Sequence, residues 1–340
     1  MTYKAMKICA VFFFSILALT FLHSCSTNDT AVLIGNWVQL SELDGLPRVD
    51  AVGFSIGTKG YIGTGCDQDN DRLKDFWEYD VARDAWSQKA DFPGVARNGA
   101  IGFSTDTKGY IGTGYDGKGK LNDFYEFNPE TNTWTKKADF GGSARYGAVA
   151  MSINNIGYVG TGYDGTYLKD FWAYNPEADT WTQKTSIGGK KRNIATCFAI
   201  DGKGYILTGI DNGTYLDDMW EYNPTADTWT KKRAISNATD DAFDDAYSTY
   251  IIGVNKVGFS INGKGYLATG GQTTGTYVWE YDPTDDLWTE RHSFEGSSRG
   301  GAVGFAIGNL GYVITGSNGS SCFSDIWSFD PKAEFNKDDK

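Results

Sequence analysis

The chain has 340 residues, of which 15% are aromatic, 43 are glycine and only 7 are proline. This composition argues against a disordered protein and favours aromatic-rich strands separated by glycine turns. The formal net charge of −12 at pH 7 repels polyanions, so nucleic acid is not an expected partner.

The N-terminal residues are typical of an exported protein. Two lysines precede an apolar run, residues 8–22, which is short for a transmembrane helix and resembles the apolar region of a secretory signal. The residues around Cys25 resemble a bacterial lipobox, which implies removal of residues 1–24 and attachment of lipid to the Cys25 sulfur. We therefore expect residues 25–35 to tether the protein to the bacterial outer membrane, with the side undetermined. A plain secretory signal is the alternative.

A nine-residue pattern recurs along the rest of the chain. It begins at Gly60, Gly109, Gly157, Gly204, Gly265 and Gly311, and a separation near 48 residues is typical of propeller blades. Within one unit, residues 97–140, apolar and alternating segments separated by turn residues predict four antiparallel strands. The predicted strands are 100–104, 110–114, 124–127 and 133–140. Such a unit cannot bury its faces alone, so the repeats must pack radially.

The repeats resemble the kelch motif, in which glycines follow the second strand and an aromatic residue precedes a tryptophan by seven positions. Here the aromatic pairs are Tyr79–Trp86, Phe127–Trp134, Tyr174–Trp181, Tyr222–Trp229 and Tyr281–Trp288. The resemblance covers residues 36–331 and implies an all-β, six-bladed kelch-type β-propeller followed by a C-terminal tail, residues 332–340. The sixth unit lacks its fourth strand, so the N-terminal strand around Trp37 is expected to complete the last blade and remove an exposed sheet edge.

Three cysteines remain beyond the signal, so at most one intramolecular disulfide can form. Cys66 and Cys322 fall in corresponding loops of blades 1 and 6, which meet at the closure, and are the candidate pair. Cys197 occupies an inner-strand position that holds glycine or alanine in the other blades, and we expect a buried small residue there.

Few residues remain for metal or redox chemistry. His292 is the one histidine outside the signal, so the copper site of galactose oxidase, another kelch propeller, cannot be assembled, nor can a two-histidine zinc or iron centre. Asp67, Asp69 and Asp71 alternate as in calcium loops, but Arg72 stands where such a loop needs glycine, so calcium is only a weak expectation. We predict no cofactor, no metal site and no assigned catalytic residue.

Two polar sets recur with the repeat and should surround one mouth of the propeller. The arginines are Arg48, Arg97, Arg145, Arg192 and Arg299, and the second set is Asp67, Asp116, Asp164 and Asp211, with Gln272 and Asn318 in the last two blades. Either the arginines pair with nearby aspartates and fasten the blades, or unpaired members bind an anionic or hydroxyl-rich ligand.

Blade 5 departs from the pattern in several ways. Gly253 replaces its arginine, and Tyr277 replaces an aspartate and joins the ligand-binding candidates. An insertion, residues 237–250, precedes the blade, and its candidate partner-binding residues are Asp240, Asp241, Phe243, Asp244, Asp245, Tyr247 and Tyr250. The insertion is either a grafted site or drift in a tolerant loop.

These features favour an exported, lipid-anchored, monomeric propeller that acts as a non-catalytic binding module for an envelope protein or glycan at its mouth. One alternative is a metal-independent sugar-acid mutarotase or epimerase similar to the sialic-acid mutarotases, since ring opening needs only carboxylates and arginines. Another is a structural partner in an outer-membrane complex.

Overall fold

The computed structural model describes residues 33–236, 252–270 and 275–338. The chain divides into two units, Met1–Val32 and Leu33–Lys340, and all of the described residues lie in the second. No helix long and apolar enough to cross a membrane occurs among these residues. The signal, Cys25, the insertion with its candidate partner residues, and Gln272 lie outside the described residues.

Six four-stranded antiparallel sheets, the blades, account for nearly all of the described strands. The chain begins with β1 (Asn36–Leu40) and enters blade 1 with β2 (Val52–Ile56), β3 (Lys59–Gly63), β4 (Phe76–Asp80) and β5 (Ala85–Gln88). Blade 2 contains β6 (Ile101–Ser104), β7 (Gly109–Gly112), β8 (Phe124–Asn128) and β9 (Thr133–Lys136). Blade 3 contains β10 (Val149–Ile153), β11 (Ile156–Gly160), β12 (Phe171–Asn175) and β13 (Thr180–Lys184).

The second half continues the pattern with one addition. Blade 4 contains β14 (Thr196–Ile200), β15 (Lys203–Leu207), β18 (Met219–Asn223) and β19 (Thr228–Lys232), and a small hairpin, β16 (Ile210–Asp211) and β17 (Thr214–Tyr215), sits in its loop. Blade 5 contains β20 (Val257–Ile261), β21 (Lys264–Ala268), β22 (Val278–Asp282) and β23 (Leu287–Arg291). Blade 6 contains β24 (Val303–Ile307), β25 (Leu310–Ile314) and β26 (Ile326–Asp330).

The N-terminal strand closes the propeller as predicted. β1 pairs antiparallel with β26, from Asn36 opposite Asp330 to Leu40 opposite Ile326, and supplies the fourth strand of blade 6. A sheet edge that would otherwise be open is therefore paired within the molecule. The kelch-type, six-bladed all-β fold is confirmed.

The repeated aromatic pair fastens each blade to the one before it. The Tyr79 hydroxyl donates to Asp84 at 2.6 Å, Asp84 accepts the backbone N–H of Ser41 at 3.0 Å, and the Trp86 indole N–H donates to the Ser41 carbonyl at 3.0 Å. Blade 2 has Phe127 in place of the tyrosine, and Asn132, which accepts the backbone N–H of Ala90, replaces the aspartate. The tyrosine and tryptophan of the motif therefore form hydrogen bonds between blades as well as packing in the core.

Two of the repeated glycines show why the inner strands of neighbouring blades approach so closely. A Cβ added at Gly102 would lie 2.0 Å from Val52 Cγ1, and one added at Gly109 would lie 2.3 Å from the Phe54 ring. Side chains of one blade thus occupy the space that a larger residue in the next blade would need.

Candidate ligand-binding face

The five arginines are buried fasteners. In blade 2, Arg97 donates to Asp123 Oδ2 through Nη2 at 2.8 Å, to the Thr113 carbonyl through Nη1 at 2.8 Å and to the Val95 carbonyl through Nε at 2.9 Å. Its guanidinium also lies 4.8 Å from the centroid of the Phe92 ring. Blades 1, 3, 4 and 6 repeat the ion pair as Arg48–Asp75, Arg145–Asp170, Arg192–Asp218 and Arg299–Asp325.

A strained threonine presents the carbonyl that each arginine binds. Thr113, within the recurring Gly-Thr-Gly, adopts a positive φ of 58° and is buried. This conformation ends the second strand at Gly112, two residues earlier than predicted, and lets the Thr113 carbonyl accept from Arg97. All five arginines are at most 1% exposed, so the geometry supports the fastening interpretation and leaves none of them at an open mouth.

Two of the carboxylates that bind these arginines, Asp75 and Asp218, have lowered pKa values. Burial by itself would raise the pKa of Asp75, but bonds from Arg48 and the Trp77 indole outweigh it and hold that pKa below its usual value. The pKa of Asp218 is lowered in the same way, against the effect of burial, by Arg192. Both groups are therefore held in their charged form.

The four aspartates of the second predicted set lie in loops and form no ion pair with the repeated arginines. Asp67 Oδ1 accepts the backbone N–H groups of Asp69 and Asp71, and Asp116 Oδ1 accepts those of Lys118 and Gly119. Asp164 accepts the Ser143 hydroxyl and the Thr166 N–H, and Asp211 lies in the blade 4 hairpin. In the part of the chain that is described, no group of three metal-ligating side chains converges, at Asp67, Asp69 and Asp71 or elsewhere. Tyr277 packs against the core between blades 4 and 5.

The candidate disulfide positions lie at the seam between blades 6 and 1 as free thiols. Gln68 bridges the two loops there, donating to the Ser320 carbonyl at 2.5 Å and accepting the Cys322 N–H at 2.9 Å. Burial raises the pKa of the Cys66 thiol to about 11. The bridge between Cys66 and Cys322 stays a prediction. Cys197 is partly accessible from the central channel and is also a free thiol.

A chain of tyrosines on the upper face was missed by the sequence reasoning. We define the upper face as the one that carries the connections between blades and the loops between second and third strands. Ring centroids are 5.7 Å apart for Tyr115 and Tyr146, 5.7 Å for Tyr146 and Tyr163, and 5.2 Å for Tyr163 and Tyr167. These four residues form the tyrosine patch, which crosses blades 2 and 3.

Cations and a buried carbonyl flank the tyrosine patch. The Arg72 guanidinium lies 5.5 Å from the Tyr115 ring centroid and the Lys120 ammonium 5.6 Å from that of Tyr163. Asn193, 6% exposed, lies over Gly147, and its Oδ1 has no hydrogen-bond partner among the described residues. The signal was present in the sequence, because tyrosine follows Gly-Thr-Gly in blades 2 and 3 only.

The central channel opens at the middle of the upper face. Backbone hydrogen bonds join neighbouring blades around this opening. In each, an N–H of one blade connection donates to a carbonyl of the next. The donor and acceptor residues are Gly301 and Asn255, Asp50 and Gly301, Gly99 and Asp50, Gly147 and Gly99, and Ile194 and Gly147. The upper section of the channel has a volume of about 230 Å³. Its first ring consists of Ala51, Ala100, Ala148, Ala195, Lys256 and Ala302.

Lys256 departs from this ring of alanines in blade 5, the blade without the repeated arginine. Its ammonium donates to the Thr269 carbonyl at 3.2 Å, which is the carbonyl equivalent to those bound by arginine elsewhere. Burial lowers the pKa of Lys256 to about 7. On the blade 1 side of the opening, burial raises the pKa of Asp50 against a weaker opposing effect of Asn98.

Comparisons with known proteins agree with the fold. The family model described as the KLHDC2/KLHL20/DRC7 Kelch-repeats domain matches residues 41–193, and the Kelch motif model matches residues 195–233. No curated protein matches the sequence. Among solved structures, that of YjhT is similar with 18% identity and a TM-score of 0.69, over 84% of this chain and 95% of that chain. The two kelch models together match more than half of the sequence, and the chain belongs to the kelch-repeat β-propeller family.

Proposed function

We propose that the protein is a non-catalytic binding module that holds a glycan on its upper face, with the tyrosine patch as the contact surface. The observation that carries this proposal is the run of four neighbouring tyrosine rings with cations at two of them. The buried arginines are not part of the proposed site, since their donors are already engaged within the propeller.

The chemistry of the patch suits a chain of hydroxyl-rich rings. Tyrosine offers a broad apolar face with a polar tip and loses little side-chain entropy when it binds. The patch tyrosines are only partly buried, so their surfaces are available to a ligand.

A glycan array that samples bacterial and host sugars, probed with the full chain, tests this proposal. We expect selective binding to one class of glycan, and a loss of at least about tenfold in affinity in Tyr146→Ala and Tyr163→Ala, because stacking and interface aromatics each contribute on the order of 1–3 kcal/mol. Tyr215→Ala is the matched control, since Tyr215 lies in the upper-face hairpin of blade 4 and outside the patch. No binding to any glycan, or equal loss in all three variants, would overturn the proposal.

A second candidate function, the sugar-acid mutarotase, is favoured by Asp50. Burial raises the pKa of this carboxyl at the opening of the channel above its usual value, which suits it to proton transfer. NMR of freshly dissolved N-acetylneuraminate would show faster anomer exchange with the protein than without it. Asp50→Asn should abolish that acceleration and Asp116→Asn should keep it. Exchange at the spontaneous rate would eliminate this candidate.

We also propose that the protein is exported and anchored through lipid on Cys25. Support comes from the lipobox-like residues that precede this cysteine. The anchor would hold the propeller at the membrane surface, where envelope glycans are concentrated.

A further inference from the structure

We propose that Lys256 is a reversible covalent capture site for small aldehydes and ketones that enter the central channel from the upper face. This goes beyond glycan binding on the tyrosine patch and does not depend on it. The site consists of one amine in a channel that is otherwise lined by alanine, glycine, valine, threonine and cysteine among the described residues.

The position of the amine carries the argument. In five blades the equivalent residue is alanine, and the threonine carbonyl near it is bound by a buried arginine. In blade 5 a single lysine takes over the hydrogen bond to that carbonyl, so the amine must reside inside the channel wall. Lys256 is half-buried and lines the upper section of the channel, so the channel gives a small molecule a route to this side chain.

Among the described residues, no carboxylate pairs with this amine. Its described hydrogen-bond partner is the uncharged Thr269 carbonyl. Of the groups on neighbouring elements, the Cys197 thiol on β14 has its pKa raised to about 12 by burial and is uncharged, and Arg299 is engaged with Asp325. Asp50 stands on the far side of blade 6 and does not contribute to the lowered pKa of Lys256, which comes from burial alone.

An amine in this setting is a nucleophile at neutral pH. With a pKa of about 7, roughly half of Lys256 is uncharged at pH 7, against about one part in three thousand for a lysine with the ordinary pKa of 10.5. Its lone pair adds to the carbonyl carbon, and the carbonyl oxygen leaves as water with the two amine hydrogens, so that a C=N bond replaces the C=O bond. The step is reversible by water and needs no oxidant or cofactor.

Reductive trapping on the full chain tests the proposal. The protein is treated with acetaldehyde and cyanoborohydride, which adds hydride to the iminium, and modified lysines are located by peptide mass mapping. At pH 7 we expect Lys256 to be ethylated at least about tenfold faster than the exposed Lys118, with a half-maximal rate near pH 7. Lys256→Arg, which keeps a charge and a donor for the Thr269 carbonyl, should abolish the fast phase alone.

Two results would overturn the proposal. One is labelling of Lys256 no faster than that of Lys118 across the pH range, which would show an ordinary amine. The other is labelling of Lys256 only after unfolding in urea, which would show that the channel excludes the carbonyl compound. Both readings come from the wild-type protein, so they hold even where Lys256→Arg folds poorly.

Discussion

The fastening role of the buried arginines predicts a large and specific loss of stability on substitution. Arg97→Met keeps most of the side-chain volume but leaves the Asp123 carboxylate and the Thr113 and Val95 carbonyls without their donor. Removing one partner of a buried ion pair costs about 3–5 kcal/mol. Because the Asp123 side chain is 22% exposed and can be hydrated, we expect the lower end, about 3 kcal/mol.

A double-mutant cycle in urea, followed by tryptophan fluorescence, measures this loss. The change should appear in the midpoint at constant slope. Asp123→Leu alone should also be destabilising, and Arg97→Met with Asp123→Leu should recover most of the loss, since a well-packed apolar pair often replaces a buried ion pair without cost. Arg97→Lys keeps the positive charge but should lose the bidentate contact with Asp123, because lysine lacks the planar guanidinium. A cost below about 1 kcal/mol for Arg97→Met, or strict additivity in the double variant, would refute the reasoning.

The remaining predictions concern acid, the seam, the anchor and the insertion. Because the folded-state pKa of Asp75 is lowered, its contribution to stability is present above about pH 4 and is lost as the pH falls through that pKa. The thermal unfolding temperature should therefore fall less steeply between pH 6 and pH 2 in Asp75→Asn than in the wild type. Oxidation should form a disulfide between Cys66 and Cys322, which non-reducing peptide mapping would detect. Because the bridge closes a loop of about 250 residues, it should raise the free energy of unfolding by on the order of 5 kcal/mol. Free thiols at both positions after oxidation would contradict this prediction. Labelling of cells with a fatty acid should mark the wild type and not Cys25→Ser, and equal labelling would exclude the anchor. Pull-down from solubilised envelope should recover a protein that deletion of residues 237–250 loses, if the insertion binds a partner.

Much of the fold could be predicted because the same packing and hydrogen-bond pattern recurs in each of the six repeats. The spacing of Tyr79 and Trp86 reflects the hydrogen bonds that join one blade to the one before it. The strand around Trp37 belonged to no repeat, and the open edge of blade 6 was the place where it could pair. The partners of the arginines could not be read in the same way. Four of the five arginines are followed by two aspartates at similar distances along the chain, so periodicity alone cannot decide which of the two turns inward. The folded loop decides it, since Asp67 is used by its own turn and Asp75 faces Arg48.

Blade 5 shows how a symmetric scaffold can acquire a reactive group with few changes. Elsewhere the charge that binds the threonine carbonyl is neutralised by a carboxylate, and the channel wall stays alanine. In blade 5 the arginine is absent, Tyr277 replaces the carboxylate, and Lys256 reaches the Thr269 carbonyl from the wall itself. A lysine is compatible with this position because losing its proton relieves the cost of a buried charge, which an arginine cannot do. In blade 5, the loss of the arginine and its carboxylate is therefore accompanied by a third substitution, which places a lysine in the channel wall.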